Sequence, residues 1–279
     1  VIVYFAFLCY SYIMLTGLFH RVRSHRLTAG VSILAFTQFA ASVAGLVRDR
    51  ALNSTFIDDL GVVDAYIAAF RPSDLLFQTC IMSAIGTVLV PILARYKAKN
   101  NDKEMSDVLS STITIAGLIF GFIALVLAIF FPYIAPHLVL FTGEDLELYI
   151  QFGRLALLTN FLFVFGNALG QYLITIEKYW MYGITPILYT AGTILGTLFL
   201  TPYYGAYGPI LGTLFGAFIY VCFRLVAVLR SGATLSFSWW HPDLKDMGVL
   251  MLPRILSLGA FQVQLLFLDR IASGFAEGS

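Results

Sequence analysis

Arg48-Asp49-Arg50, Asp64 and Arg71 form the densest run of reactive groups in this 279-residue sequence. Five acidic and three basic residues fall between Arg48 and Asp74, although only 12% of the chain is charged. A guanidinium is a fixed fork of N–H donors that matches phosphate or carboxylate oxygens. Arg48 is therefore a candidate phosphate contact, or else the partner of Asp49 or Asp64 in an internal pair that holds a helix end. Asp64 reads as a gate or coupling-ion residue, or as the N-cap of a helix that begins at Ala65. Arg71, directly before Pro72, is a further candidate cation or the anchor of a loop. Gln38, Ser42, Gly45 and Asp49 recur at i, i+4, i+7 and i+11, which places them on one helical face. Near the other end of the chain, Arg254, Ser257 and Gln264 share a face, with Gln262 and Asp269 widening it.

The elements that must hold these groups are transmembrane. Hydrophobic residues make up 59% of the chain, well above the roughly 45–50% of soluble domains. Charge is costly at membrane depth, so polar groups there mark functional positions or wet cavities. No basic stripe or aromatic platform argues for nucleic acid as a partner, and none is expected. Cys9, Cys80 and Cys222 lie far apart in apolar runs, the histidines are scattered, and no HExxH, GxSxG or phosphate-loop motif occurs. No metal, cofactor or catalytic cluster is expected.

Apolar runs predict spans over residues 1–19, 27–47, 75–93 (closed by Pro91), 108–131 (ended by Pro132), 149–176, 181–200 and 207–229, and the start of another over 246–271. Thr79, Ser83 and Thr87 with Gly86, and the ladder Gly208, Gly212, Gly216, read as close helix contacts. Asn160, Asn167 and Gln171 share a face and read as interhelical hydrogen bonds. Trp239-Trp240 suit the membrane interface. The connectors 20–26, 95–107, 177–181 and 224–245 hold eleven Lys and Arg, against three in 48–74, 132–148 and 200–206. The basic set is expected in the cytoplasm, with Asp64 and the Glu144 loop outside.

Leu46-Val47-Arg48-Asp49-Arg50 and Leu266-Phe267-Leu268-Asp269-Arg270 echo each other at an offset of 220 residues, both closing a polar-faced helix. A six-helix unit followed by a copy of its own first helix is the pattern of a transporter built from two repeats. The expected organisation is an extra helix and basic connector over 1–27, a six-helix lobe over 28–230, and a connector with the start of a second lobe over 231–279. The sequence reads as a fragment of a longer chain.

Gly45-Leu46-Val47-Arg48-Asp49-Arg50, Asp64-Ala65-Tyr66, Ala69-Phe70-Arg71 and Val90-Pro91-Ile92-Leu93-Ala94-Arg95-Tyr96 resemble the opening of the MurJ lipid II flippases, in the multidrug/oligosaccharidyl-lipid/polysaccharide exporter superfamily. Gly170-Gln171-Tyr172-Leu173, Pro186-Ile187-Leu188-Tyr189 and Met251-Leu252-Pro253-Arg254 extend the likeness over residues 28–279. The resemblance implies an all-α multi-pass protein of the bacterial inner membrane, with paired six-helix lobes around a central cavity. It also implies a lipid-linked saccharide pyrophosphate as substrate, membrane lipid and a possible coupling ion as partners, and no enzymatic activity. Arg48, Asp64 and Arg254 match the family pattern. Ser42 stands where the family usually has an arginine, and Phe77 and Gln78 stand where many members carry one or two. Arg48, Arg254, Asp64, Arg71, Gln38, Ser42 and Gln78 are the expected substrate-binding positions. A cation-coupled exporter of the same superfamily and a non-transporting scaffold for cell-wall assembly are the alternatives.

Overall fold

The computed structural model describes residues 25–82 and 85–274. The expected span over 1–19 lies outside these residues. The described chain is all-helical, and five of its segments are long and apolar enough to cross a membrane.

Helix α1 (His25–Thr55) is followed by the turn 56–59 and by α2 (Leu60–Leu76), a π-helical stretch (Phe77–Met82) and α3 (Ile85–Ala98). Then come α4 (Asp102–Leu138), α5 (Gly143–Thr175), the short α6 (Tyr179–Gly183) and α7 (Thr185–Leu195). A second π-helical stretch (Gly196–Leu200), α8 (Thr201–Tyr204) and a 3₁₀ turn (Gly205–Tyr207) lead to α9 (Gly208–Leu229). After a connector, α10 (Asp243–Ala272) ends the described chain.

The 48–74 connector expected from sequence is instead helical almost throughout. Arg48–Arg50 lie inside α1, Asp64–Asp74 inside α2, and only Phe56–Asp59 separate the two helices. Arg48 pairs with Asp49 and Arg71 with Asp269, so the helices run on through these charges. Pro91 and Pro132 likewise do not end their helices, which run on to Ala98 and Leu138. In lipid no water competes for the backbone, and neighbouring helices tolerate the missing N–H. Pro72 sits one turn before the first π-helical stretch, where an irregular ladder accommodates the lost donor.

Local signals explain several ends. The Asn101 side chain accepts from the Glu104 backbone N–H, and Asp102 and Glu104 sit at the positive end of α4. Pro186, Pro202 and Pro209 occupy first-turn positions, where a missing N–H costs nothing. Gly205 adopts φ of +56°, which lets the chain reverse between α7 and α9.

Helix α5 is the hub and packs against α2, α3, α4 and α9. Helices α7 and α9 pack most closely, as the glycine ladder predicts. Gly212 meets Gly196, and Gly216 meets Gly192, so two backbones touch without intervening side chains. Helix α1 leans on α6 and α7, and α10 lies against α2, the first π-helical stretch, α3 and α4. The Thr79 side chain faces Gly259 of α10; Ser83 lies outside the described residues.

One end of the bundle holds the turns 99–101 and 176–178 and the connector 230–242, with Lys99, Lys178 and Arg230. At the opposite end the turns 56–59, 139–142 and 205–207 contain Asp58 and Asp59 and neither Lys nor Arg. The three arginines of 48–74 lie inside helices, as do Arg95, Lys97, Lys103, Arg224 and Lys245 of the basic set, so the turns themselves keep the same sign of asymmetry with fewer charges.

The 230–242 connector is stitched along α4. Thr234 and Ser236 donate backbone N–H groups to Ser106 and Ser110, and Ser111 donates to Ser238. Beyond it Arg95 reaches Asp243 at 2.5 Å. His241 accepts from the Asp243 backbone N–H at Nδ1, so its Nε2–H donates to Glu104 at 3.0 Å. Burial opposes ionisation of Asp243, but hydrogen bonds from Arg95 and Tyr96 and the Arg95 charge hold its carboxyl below the ordinary value of 3.8.

Candidate functional site

A cavity of about 650 Å³ opens between α1, α2, the first π-helical stretch, α5 and α7. Its lining brings together Arg48, Asp49, Arg71, Asp74, Gln78 and Asn160, with Tyr66 and Tyr189 among its aromatic walls. Three expected site residues, Arg48, Arg71 and Gln78, thus converge from separate elements.

Each charge arrives with a partner. Arg48 Nε and Nη2 both donate to Asp49 Oδ1, at 2.9 and 2.7 Å. The alternative pairing of Arg48 with Asp64 does not form. Arg71 Nε lies 2.8 Å from Asp269 Oδ2 on α10. The Asn160 amide donates to Asp74 Oδ1 at 2.8 Å and to the Ser73 hydroxyl, which in turn donates to the Ala156 carbonyl. That chain is the interhelical bonding expected of Asn160, tying α5 to α2. Asn167 instead bonds the Phe163 carbonyl of its own helix. The Tyr66 hydroxyl bonds Thr213, which bonds Thr193, so one cavity wall is fastened through α9 to α7.

Phe77 and Gln78 divide their roles. Phe77 is buried and packs edge-on to Phe120, while the Gln78 side chain is half-buried on the cavity lining. With both residues uncharged, Arg48 and Arg71 are the cations among the lining residues, and Asp49 and Asp74 match them in number.

The other expected positions lie elsewhere. Asp64 lines a separate pocket of about 340 Å³ at the acidic end, with Asp145, Asp269, Leu140 and Ser273. It lies in the second turn of α2, whose N-cap is Asp59. Arg254 lines a third pocket, about 270 Å³, with Arg95, Val88, Pro91 and Leu250, toward the basic end. Gln38 and Ser42 stay exposed on α1, where the Ser42 hydroxyl donates to the Gln38 carbonyl.

Tyr66 and Tyr189 fall in segments that carry the family resemblance but have no site role in the sequence reading, and Asp74 enters there only as the end of the charged string. Arg224 was missed altogether as a structural residue. It is 1% exposed, donates to Thr185, Gly166 and Tyr182, and stacks on the Tyr182 and Tyr220 rings. Among the described residues no group of His, Cys, Asp or Glu has the arrangement of a metal site.

The family model "Lipid II flippase MurJ" matches residues 52–279. The "Probable lipid II flippase MurJ" of Rickettsia prowazekii (strain Madrid E) is 26% identical over 255 residues, which cover 88% of this chain and 49% of that protein. A solved lipid II flippase MurJ in an inward closed conformation superposes with a TM-score of 0.66 at 20% identity, covering 88% of this chain and 51% of its own. An inward-facing multidrug resistance transporter of the MATE family in the MOP superfamily gives 0.67 at 18%, covering 80% and 52%. The chain thus spans about half the length of the proteins it resembles, and the two structures share its fold. Because the family model takes in most of the sequence, from the end of α1 through α10, the chain belongs to the MurJ lipid II flippase family.

Proposed function

We propose that this chain supplies the first lobe of a transporter that carries an undecaprenyl-pyrophosphate-linked peptidoglycan precursor, lipid II, from the inner to the outer leaflet of the bacterial cytoplasmic membrane by alternating access. Residues 28–230 form that lobe, and α10 begins the second, whose remainder completes the cavity. The convergence of Arg48 and Arg71 on one membrane-embedded cavity carries this reading. A diphosphate needs charge-assisted donors at such depth, and two guanidinium forks with the amide of Gln78 provide them. Flipping requires binding and release but no covalent step, so the protein acts as a transporter and not as an enzyme. The basic end faces the cytoplasm, which places Asp64 and Asp145 outside.

Complementation of a conditional flippase mutant by the full-length gene tests the activity. Wild type is expected to restore growth and Arg48→Ala to abolish it at normal membrane levels. Full rescue by Arg48→Ala would remove Arg48 from the substrate site, and failure of the wild-type gene would refute the assignment to lipid II.

The matched carboxylates favour one second reading. Asp49 and Asp74 leave the lining residues without net positive charge, as suits a cation-coupled exporter of the same superfamily. Transport driven by a sodium or proton gradient and abolished by Asp74→Asn, without flipping of lipid II, would select it.

A further inference from the structure

Arg71 and Asp269 stand on opposite sides of a partition. Arg71 lines the 650 Å³ cavity, and Asp269 lines the 340 Å³ pocket at the acidic end. Ile67, one turn before Arg71 on α2, borders both spaces. The 2.8 Å ion pair and Ile67 therefore close the wall between cavity and outer pocket. The two side chains are 34% and 21% exposed, so bulk water only partly screens their attraction. A second tie lies at the very end of α10, where the Leu140 backbone N–H donates to the Ser273 hydroxyl at 2.9 Å.

We infer that Arg71–Asp269 is a substrate-released latch between α2 and α10. This rests on the diphosphate reading of the cavity above. The pair brings a single carboxylate oxygen to Arg71 Nε by charge and proximity, without the geometry of a hydrogen bond. A diphosphate entering the cavity carries more charge and more acceptor oxygens, and so competes for the same guanidinium. A substrate that engages Arg71 only when Asp269 has let go favours the open state by that difference in affinity, which is the condition for a ligand to drive a conformational change. Asp269 shares its own pocket with Asp64 and Asp145, and repulsion from those like charges drives it back toward Arg71 once the substrate has left. Departure of the substrate frees Arg71, and the wall reseals.

The test uses the full-length protein in liposomes, with its native cysteines replaced by serine and one reporter cysteine at Phe70, which lines the cavity and not the outer pocket. A membrane-impermeant maleimide is applied to molecules oriented with the acidic end outward. Asp269→Asn is expected to raise labelling of the reporter by about fivefold or more, and the charge reversal Arg71→Asp with Asp269→Arg to restore protection. Liposomes containing undecaprenyl diphosphate should raise labelling of the unlatched-competent wild type, but not of the charge-reversed protein, whose cation sits on the wrong helix. Undecaprenyl monophosphate should act more weakly. Should Asp269→Asn misfold, Asp269→Glu and an oxidised Arg71→Cys/Asp269→Cys pair provide the second measurement, the cross-link abolishing lipid-dependent labelling. Wild-type labelling in Asp269→Asn, or an unprotected charge reversal, would overturn the latch. A response to both substitutions with none to the lipid diphosphate would keep the ion pair as a wall and overturn its release by substrate. These labelling outcomes do not depend on complementation, so failure of the lipid II assignment is seen separately.

Discussion

Replacing Gly212 by alanine should loosen the tightest contact in the bundle. A Cβ at Gly212 would lie 2.5 Å from the Gly192 carbonyl oxygen and 2.5 Å from the Gly196 Cα, where ordinary contact begins near 3.4 Å. Both obstacles are backbone, so no side chain can rotate away, and α7 and α9 must separate by about 1 Å along their glycine stripes. Overpacking of this kind costs about 1–3 kcal/mol, and a backbone obstacle belongs at the upper end. Alanine recovers about 1 kcal/mol over glycine in a helix, which leaves a net loss of about 2 kcal/mol. Gly45→Ala is the matched control, since its Cβ would find nothing within 4 Å. There only the propensity term acts, and stability should rise by up to about 1 kcal/mol. Both variants are to be measured in this 279-residue chain by reversible unfolding in mixed micelles, followed by far-ultraviolet circular dichroism. Opposite signs are expected from the same chemical change. Equal stability of Gly212→Ala and wild type would refute backbone contact between α7 and α9.

Two further outcomes concern charges outside the cavity. Arg224 has carbonyl, hydroxyl and ring partners but no carboxylate among those it contacts, so Arg224→Met should stay within about 1 kcal/mol of wild type, whereas Arg224→Lys should lose about 3 kcal/mol. An ammonium keeps the buried charge yet cannot span the same acceptors or stack on both tyrosine rings; the same unfolding assay ranks the pair, and a lysine variant as stable as the methionine one would contradict the assigned packing. Asp243, with its pKa held below 3.8 by Arg95 and Tyr96 against the cost of burial, stabilises the clasp fully above that value. The contribution fades as pH falls through the depressed folded value. Asp243→Asn should therefore lower stability at neutral pH and narrow its gap to wild type on acidification, as followed by protease nicking of the 230–242 connector across pH 2–7; a gap that widens toward low pH would reverse the sign.

Composition and the length of the apolar runs determined that this protein is helical and crosses a membrane, because runs of about 20 apolar residues span lipid as helices that satisfy their own backbone. The four-residue spacing of Gly208, Gly212 and Gly216 was enough to place a helix contact, since that spacing repeats on one face whatever the partner. The identity of the partner, Gly192 and Gly196, needed the reversal at Gly205. Charge decided less. Arg48–Asp74 fits a connector or a cavity lining equally well, because local sequence does not show whether a charge at membrane depth has a counter-charge. Arg48 finds its own next neighbour Asp49, but Arg71 finds Asp269, nearly two hundred residues away, and only that packing makes a continuous charged helix tolerable.

The site divided along the same line. Motif likeness picked out Arg48, Asp64, Arg71 and Arg254 as one group, since aligned positions carry no distances. Tertiary structure placed Arg48 and Arg71 on one cavity, Asp64 beyond its wall and Arg254 beside Arg95 toward the opposite end. The echo of Asp49 in Asp269, 220 residues on, was legible in the sequence. That Asp269 reaches back to Arg71 was decided by the docking of α10 on α2, a contact that no local pattern encodes.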